Sequence, residues 1–283
     1  MRIDELPQIR EVLQKSNLIA KKSLSQNFLF DLNLTSKIAN LNGSLINSTV
    51  LEIGPGPGAL TRALLASGVK KVIAIEKDKN FIPILKDIEK VYPNRLEIIE
   101  QDALTFNLES LNHISNLKII SNLPYNIGTK LLINWLQPKI WPPIWRDMTL
   151  MFQKEVANRI VATHGTKAYG RLSILAQWRC SVKISMNLPP EAFRPVPKVY
   201  SSVVSIFAND RPQFTANPLI LEKIVKSGFN QRRKMLRSSL KKDNLNIEKI
   251  LLSSGIKSTL RAENLTISDW CNLARTIENY EKG

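Results

Sequence analysis

The chain has few of the residues that build disulfide frameworks and metal sites. Its 283 residues include 2 cysteines and 2 histidines. Cys180 and Cys271 lie far apart in sequence, which favours reduced thiols in a cytoplasmic protein. His113 and His164 lack metal-ligand spacing, so we expect no metal site and two surface histidines. No apolar run approaches the ~20 residues of a membrane helix, and the N-terminus lacks the apolar core of a signal peptide.

Acidic residues are scarce relative to basic ones. The chain has 24 aspartates and glutamates against 40 lysines and arginines, a formal net charge of +16. This surplus indicates a polyanionic partner, either nucleic acid or a membrane surface, although charge that only maintains solubility is the alternative. The densest basic run lies near the C-terminus. On a helix, its arginines could contact phosphates while Met235, Leu236 and Leu240 anchor the opposite side, the alternative being a solvated helix face. The candidate RNA-binding residues are Arg232, Arg233, Lys234 and Arg237.

A glycine-rich turn separates the first predicted strand from a helix. The strand 50–53 runs into Gly54-Pro55-Gly56-Pro57-Gly58, and a helix is predicted from Ala59. A turn of this kind lets the backbone approach a ligand closely. Its G-x-G-x-G spacing differs from the G-x-G-x-x-G of dinucleotide sites.

Acidic residues follow the next two predicted strands. Glu76 ends the strand 71–75, about 20 residues past the glycine turn, where it can accept hydrogen bonds from ribose hydroxyls. Asp102 follows the strand 96–100 and is placed to accept from an adenine amino group. Together with the turn at Gly54, these acids describe a nucleoside bound without a pyrophosphate. S-adenosylmethionine fits that description.

A fourth predicted strand, 117–121, ends at Asn122-Leu123-Pro124-Tyr125. Ligands of open α/β sheets bind outside the carboxyl ends of the strands. The Asn122 side-chain oxygen and the Pro124 carbonyl can accept from an exocyclic amine, and Tyr125 can stack on a base. A strand-ending turn is the alternative, but the neighbouring cofactor motifs favour an amine site. Methyl transfer from a sulfonium to that amine needs no dedicated base.

The order of predicted elements indicates the fold class. Strands and helices alternate from Thr49 to about Phe207, which predicts an α/β fold with a mostly parallel sheet. A late strand, 199–207, is predicted to pair with 181–187. Beyond a linker at 209–218, the patterns are helical throughout.

These motifs together resemble those of ribosomal RNA adenine N6,N6-dimethyltransferases. The resemblance implies a Rossmann-like S-adenosylmethionine-dependent methyltransferase with a smaller all-helical C-terminal domain. It also implies dimethylation of two adjacent adenosines near the 3′ end of small-subunit rRNA, in ribosome biogenesis. Ser25 departs from the glycine usual in the family, and the segment 1–19 is longer than in many members. Further matching stretches are 25–29, 153–156, 168–173, 189–199 and 229–234.

The resemblance also implies domains, residue roles and partners. Asn27 and Leu29 would contact the cofactor from a lid, for which a plain connecting loop is the alternative. Phe193 would close the base pocket opposite Tyr125, for which a buried loop anchor is the alternative. The implied partner is small-subunit rRNA or an assembly intermediate of the small ribosomal subunit, bound by a monomer. The implied domains are an extension with a lid (1–30), a methyltransferase domain (31–208) and a helical RNA-binding domain (209–283).

Two other functions stay open at this point. A methyltransferase acting on large-subunit rRNA adenine would share the sheet and the cofactor motifs, although the basic run and the stretch 189–199 favour the small subunit. A non-catalytic RNA-binding assembly factor would have no need of an amine-binding tetrapeptide.

Overall fold

A computed structural model describes residues 6–15, 27–241 and 246–282. Residues 1–5 and 16–26 of the predicted extension and lid, which include Ser25 and Gln26, lie outside the described residues. The chain divides into two compact units, the first containing 1–135, 143–157 and 183–208 and the second 136–142, 158–182 and 209–283. The second unit therefore takes in two segments from within the predicted domain 31–208. The functions assigned to the three predicted domains stay predictions.

The described residues form nine strands and eleven α-helices. The strands are β1 (Phe28–Leu29), β2 (Thr49–Ile53), β3 (Lys71–Glu76), β4 (Leu96–Glu100), β5 (Leu117–Asn122), β6 (Trp145–Gln153), β7 (Cys180–Leu188), β8 (Phe193–Arg194) and β9 (Ser201–Ala208). The helices are α1 (Ile9–Lys15), α2 (Leu32–Ala39), α3 (Ala59–Ala66), α4 (Ile82–Val91), α5 (Gly128–Trp135), α6 (Lys154–Val161), α7 (Arg171–Arg179), α8 (Pro218–Asn230), α9 (Leu236–Ser239), α10 (Ile247–Ser253) and α11 (Ile267–Lys282).

Seven strands pair into one mixed sheet in the order β4-β3-β2-β5-β6-β9-β7. Neighbours from β4 through β6 are parallel, and β9 runs antiparallel to β6. This confirms the predicted α/β fold, the mostly parallel sheet and the pairing of the late strand with the strand near 181–187. The interior strand β2 is buried at every position, as expected for a parallel strand covered on both faces.

Local sequence also determines where α2 begins. Asp31 caps this helix, because its Oδ1 accepts the backbone N–H groups of Asn33 and Leu34 at 2.8 and 3.1 Å. These bonds satisfy two of the amides that a helix start leaves unpaired. Aspartate is one of the residues preferred at this position, so the sequence around residue 31 by itself predicts a helix start.

The predicted helix through the basic run is wrong. Helix α8 ends at Asn230, residues 231–234 form a turn, and α9 covers four residues. The backbone N–H of Leu236 donates to the Leu260 carbonyl at 2.7 Å, and Met235 forms a β-bridge with Arg261. These tertiary bonds replace the bonds of a continuous helix. Leu236 and Leu240 are buried as predicted, whereas Met235 is 40% exposed.

A buried ion pair joins β5 to β6 in the first unit. The Lys118 Nζ lies 2.6 Å from Asp147 Oδ2, and both side chains are almost fully buried. Asn42 donates from Nδ2 to Asp147 Oδ1 at 3.1 Å and accepts from the Ser205 hydroxyl at 2.6 Å. The network therefore connects three adjacent strands. Lys118 stands near the beginning of β5, at the opposite end of that strand from Asn122.

Candidate active site

A cavity lies where β2, β3, β4 and β5 end. Its lining includes the glycine turn, Glu76, Asp102 and residues 122–127. The structure therefore brings together the motifs that the sequence predicts at successive strand ends. This follows from parallel pairing, since the carboxyl ends of these strands share one edge of the sheet.

The glycine turn has a backbone that other residues rarely adopt. Gly54 has a φ of 63° and Gly56 a φ of 54°, both in the left-handed region. A Cβ on Gly56 would lie 2.5 Å from Cε1 of Phe28, which lines the same cavity. Glycine is therefore required here both for the turn and for the close approach of an aromatic ring.

Glu76 is the best-positioned acceptor in the cavity. Its side chain is buried, with Oε2 accepting from the Gly56 N–H at 3.0 Å and Oε1 from the Asp78 N–H at 2.7 Å. Burial raises the pKa of Glu76, and the backbone hydrogen bonds oppose that shift. A carboxylate has about four lone-pair sites, so a rigidly oriented group retains acceptor capacity for hydroxyls.

Glu52, beneath the turn on β2, is a second buried carboxyl. Burial raises its pKa from 4.5 to about 8, the hydrogen bond from the Thr61 hydroxyl at 2.7 Å lowers it, and the charge of Glu76 raises it. Like charges close together disfavour double ionisation. Glu52 therefore keeps its proton at neutral pH.

Asp102 presents a second acceptor at the cavity. Its Oδ2 accepts from Lys77 Nζ at 2.8 Å and its Oδ1 from the Leu104 N–H at 2.9 Å. The hydrogen bond from Lys77 is the main cause that lowers the pKa of Asp102. Asp102 is therefore ionised at neutral pH. Lys77 also lines the cavity, although no motif in the sequence singled it out.

Asn122 is oriented by the segment predicted as a lid. Its Nδ2 donates to the Asn27 backbone carbonyl at 2.9 Å. Because a carbonyl can only accept, this bond determines which end of the amide is the NH₂ group. The Oδ1 of Asn122 receives no hydrogen bond from any described residue and is left to accept from a ligand amine.

The Pro124 carbonyl accepts hydrogen bonds from the backbone of the residues that follow it. That oxygen accepts from the Ile127 and Gly128 N–H groups at 3.2 and 3.0 Å, which begins α5. Both lone pairs of the carbonyl predicted to bind an amine are therefore engaged. Leu123 precedes it in the cavity lining, and within the described residues its carbonyl accepts no hydrogen bond outside the strand ladders.

Tyr125 is held by a residue that sequence reasoning missed. Its hydroxyl lies 2.6 Å from the Oγ of Ser201, the fully buried first residue of β9. Burial raises the pKa of Tyr125, so the phenol stays neutral. The ring, which lines the cavity, is thereby restrained for stacking.

Leu29 and Phe193 lie next to the cavity lining without joining it. They pair across β1 and β8, and both side chains are buried in the core of the first unit. Phe28 takes the cavity position instead, as the alternation of side chains along a strand would have indicated. The burial of Phe193 matches a loop anchor, and its closing of the base pocket stays a prediction.

The basic run divides into structural and exposed residues. Arg232 donates from Nε to Glu263 Oε2 at 2.7 Å and from Nη2 to the Thr166 carbonyl at 3.2 Å. Arg233, Lys234 and Arg237 are exposed. Within the second unit, Arg233, Lys234 and Arg237 are therefore available to contact phosphates.

The histidines, the cysteines, the metal-ligating side chains and the apolar length of the helices are further features of the described residues. In that part of the chain, no group of three or more metal-ligating side chains is arranged around a common point, and no helix is long and apolar enough to cross a membrane. His113 and His164 are exposed as predicted. Burial raises the pKa of both Cys180 and Cys271 to about 12, so both thiols stay protonated.

The family model for ribosomal RNA adenine dimethylase matches residues 17–279. Ribosomal RNA small subunit methyltransferase A of Paracoccus denitrificans (strain Pd 1222) is 55% identical over 276 residues, 97% of each chain. The same-named protein of Ruegeria sp. (strain TM1040) is 54% identical over 277 residues, 98% of each chain. A solved dimethyladenosine transferase from Plasmodium falciparum is 26% identical with a TM-score of 0.75, covering 90% of this chain and 98% of that one. The 23S rRNA methyltransferase ErmE, 24% identical with a TM-score of 0.63 and covering 89% of this chain and 100% of its own, has the same fold. The chain, with the strand-end site described above, belongs to the ribosomal RNA adenine dimethylase family.

Proposed function

We propose that this protein uses S-adenosylmethionine to dimethylate N6 of two adjacent adenosines near the 3′ end of small-subunit rRNA. The observation that carries the proposal is the Asn122 side chain, whose oxygen is left as an acceptor in the cavity that also holds Glu76 and Asp102. The names of the curated relatives support the small subunit as the substrate.

The hydrogen-bond acceptors of the cavity fit the proposed cofactor. The glycine turn allows close approach, Glu76 can accept from the ribose hydroxyls, and ionised Asp102 can accept from the adenine amine. Asn27 and Phe28 line the same cavity from the predicted lid. When bound, the cofactor supplies an activated methyl group on a sulfonium.

The residues of the tetrapeptide act on the substrate amine. Asn122 Oδ1 accepts one N6–H, which withdraws the nitrogen lone pair from the ring and favours a nucleophilic geometry. We assign the second acceptor to the Leu123 carbonyl, because the Pro124 carbonyl already serves α5. Tyr125, restrained by Ser201, stacks on the base. After the first transfer one N–H remains, so one acceptor suffices for the second.

The charge of the protein supports rRNA as its binding partner. A net charge of +16 and the exposed residues Arg233, Lys234 and Arg237 suit the phosphates of rRNA. We propose a monomeric cytoplasmic enzyme acting on a small-subunit assembly intermediate, since its substrate is part of the ribosome.

The test uses labelled S-adenosylmethionine with undermethylated small subunits and, in parallel, with large subunits. We expect N6,N6-dimethyladenosine at two adjacent positions in small-subunit rRNA and none in large-subunit rRNA. Label in large-subunit adenine would support the alternative substrate. Absence of transfer to either subunit, with RNA binding intact, would favour the assembly factor.

Glu76→Ala is expected to weaken S-adenosylmethionine binding roughly tenfold or more. The reason is the loss of a buried, charge-assisted acceptor, which typically costs about 1.5–3 kcal/mol. Calorimetry of cofactor binding measures the effect. The matched control is Glu100→Ala, since Glu100 stands opposite Glu76 in the β3–β4 register but is partly exposed and outside the cavity lining. Equal cofactor affinities for Glu76→Ala and Glu100→Ala would show that Glu76 does not bind the cofactor.

Neutralising Arg233, Lys234 and Arg237 together is expected to weaken rRNA binding and to flatten its salt dependence. Each lost phosphate contact should reduce the log–log slope by roughly 0.7–0.9. Arg232→Ala is the contrasting variant, because its bonds to Glu263 and Thr166 predict a lower melting temperature instead. An unaltered salt slope in the triple variant would exclude these residues from the RNA interface.

A further inference from the structure

An exposed tyrosine immediately precedes Ser201, the residue whose hydroxyl hydrogen-bonds Tyr125 of the tetrapeptide. Tyr200 immediately precedes β9, and its side chain is 53% exposed. Lys154 Nζ lies 5.6 Å from the centroid of its ring. The Lys154 backbone N–H also donates to the Tyr200 carbonyl at 2.9 Å. The backbone at Tyr200 is therefore joined to the first residue of α6, while much of the ring faces solvent.

The position of Tyr200 relates it to the cavity. The next residue, Ser201, is fully buried and hydrogen-bonds the Tyr125 hydroxyl at 2.6 Å. Tyr125 lines the cavity. The exposed ring and the side chain that restrains the base-stacking tyrosine thus belong to consecutive residues.

The surroundings of Tyr200 complement a nucleic acid strand. Arg194, Lys198 and Lys154 are exposed cations on the same stretch or facing it. Val196 and Val199 are exposed apolar residues of that stretch. One flat ring among exposed cations offers a single-stranded nucleic acid a base-stacking face and phosphate contacts.

We propose that Tyr200, supported by Lys154, is a stacking platform for the nucleotide next to the adenosine in the cavity. The proposal rests on the proposed function, which requires two adjacent adenosines to enter the cavity in turn. While one adenine is held by Asn122 and Tyr125, its neighbour has lost that base as a stacking partner. An exposed aromatic ring one residue from Ser201 offers that second base a flat surface.

The test compares four substitutions of Tyr200 on undermethylated small subunits. Tyr200→Ala and Tyr200→Leu should each raise the KM for small subunits roughly tenfold, the usual size of a lost base–aromatic stack. Tyr200→Phe and Tyr200→Trp should stay within about twofold of the unsubstituted enzyme, because stacking needs a flat ring and not the hydroxyl. Cofactor affinity and melting temperature should be unchanged in all four.

The chain offers a matched control. Tyr280 is 40% exposed with Lys249 Nζ 5.8 Å from its ring centroid, and it belongs to the second unit. Tyr280→Ala should leave the KM unchanged. Three results would each overturn the stacking platform. They are an unchanged KM in Tyr200→Ala, a KM in Tyr200→Leu as low as in Tyr200→Phe, and a rise in KM in Tyr280→Ala equal to that in Tyr200→Ala. If the unsubstituted enzyme fails to methylate small subunits, the proposed function is rejected instead. In that case, the affinity of the same variants for small subunits tests whether Tyr200 is a stacking platform.

Discussion

Asn122→Ala should lower the rate of methyl transfer by about 100-fold or more while leaving small-subunit affinity nearly unchanged. Removing one preoriented hydrogen-bonding group that acts on the reacting centre typically costs a factor of 10²–10³. The Asn122 oxygen is such a group, because the bond from Nδ2 to the Asn27 carbonyl orients the amide before substrate binds. RNA affinity depends mainly on basic residues and phosphates, so it should persist.

Single-turnover rates with saturating small subunits measure this effect. Asn116→Ala is the matched control, since Asn116 directly precedes β5, at the other end from Asn122, and its Nδ2 donates to the Ser48 hydroxyl at 2.9 Å. That variant should turn over at the rate of the unsubstituted enzyme. Near-normal turnover in Asn122→Ala would show that the amide does not act on the amine.

Asp147→Ala should destabilise the protein by about 3–5 kcal/mol, the usual cost of breaking a buried ion pair from one side. The substitution leaves the buried Lys118 ammonium without its counter-charge and removes the acceptor of Asn42 Nδ2. For a unit of this size the expected fall in melting temperature is roughly 6–20 °C.

Two further variants test whether an unpaired buried charge causes the loss of stability in Asp147→Ala. Asp87→Ala breaks an exposed pair with Lys90 at 2.7 Å and should cost under about 1 kcal/mol. Replacing both partners, as in Lys118→Met with Asp147→Leu, should recover much of the stability, because no buried charge is then left unpaired. A loss in Asp147→Ala no larger than in Asp87→Ala would contradict the buried-charge explanation.

The parts of the fold that were predicted correctly have local causes. The apolar stretches of β2 and β5 form central parallel strands because no amphipathic face is needed between two covering layers. Asp31 caps α2 through bonds to residues two and three positions away. The glycine turn has left-handed backbone angles that glycine adopts without strain. Glu76, Asp102 and Asn122 meet because strands of one parallel sheet end at one edge.

The sequence by itself therefore determined the fold class, the position of the site and the family. Only the tertiary structure decided the role of individual groups, since their partners lie far away along the chain. Ser201 reaches Tyr125 across 76 residues, and Arg232 reaches Glu263 across 31. The pairing of Leu236 with Leu260 ended the predicted helix. Bonds of this kind form only after the chain has folded, so no local pattern of residues could have specified them.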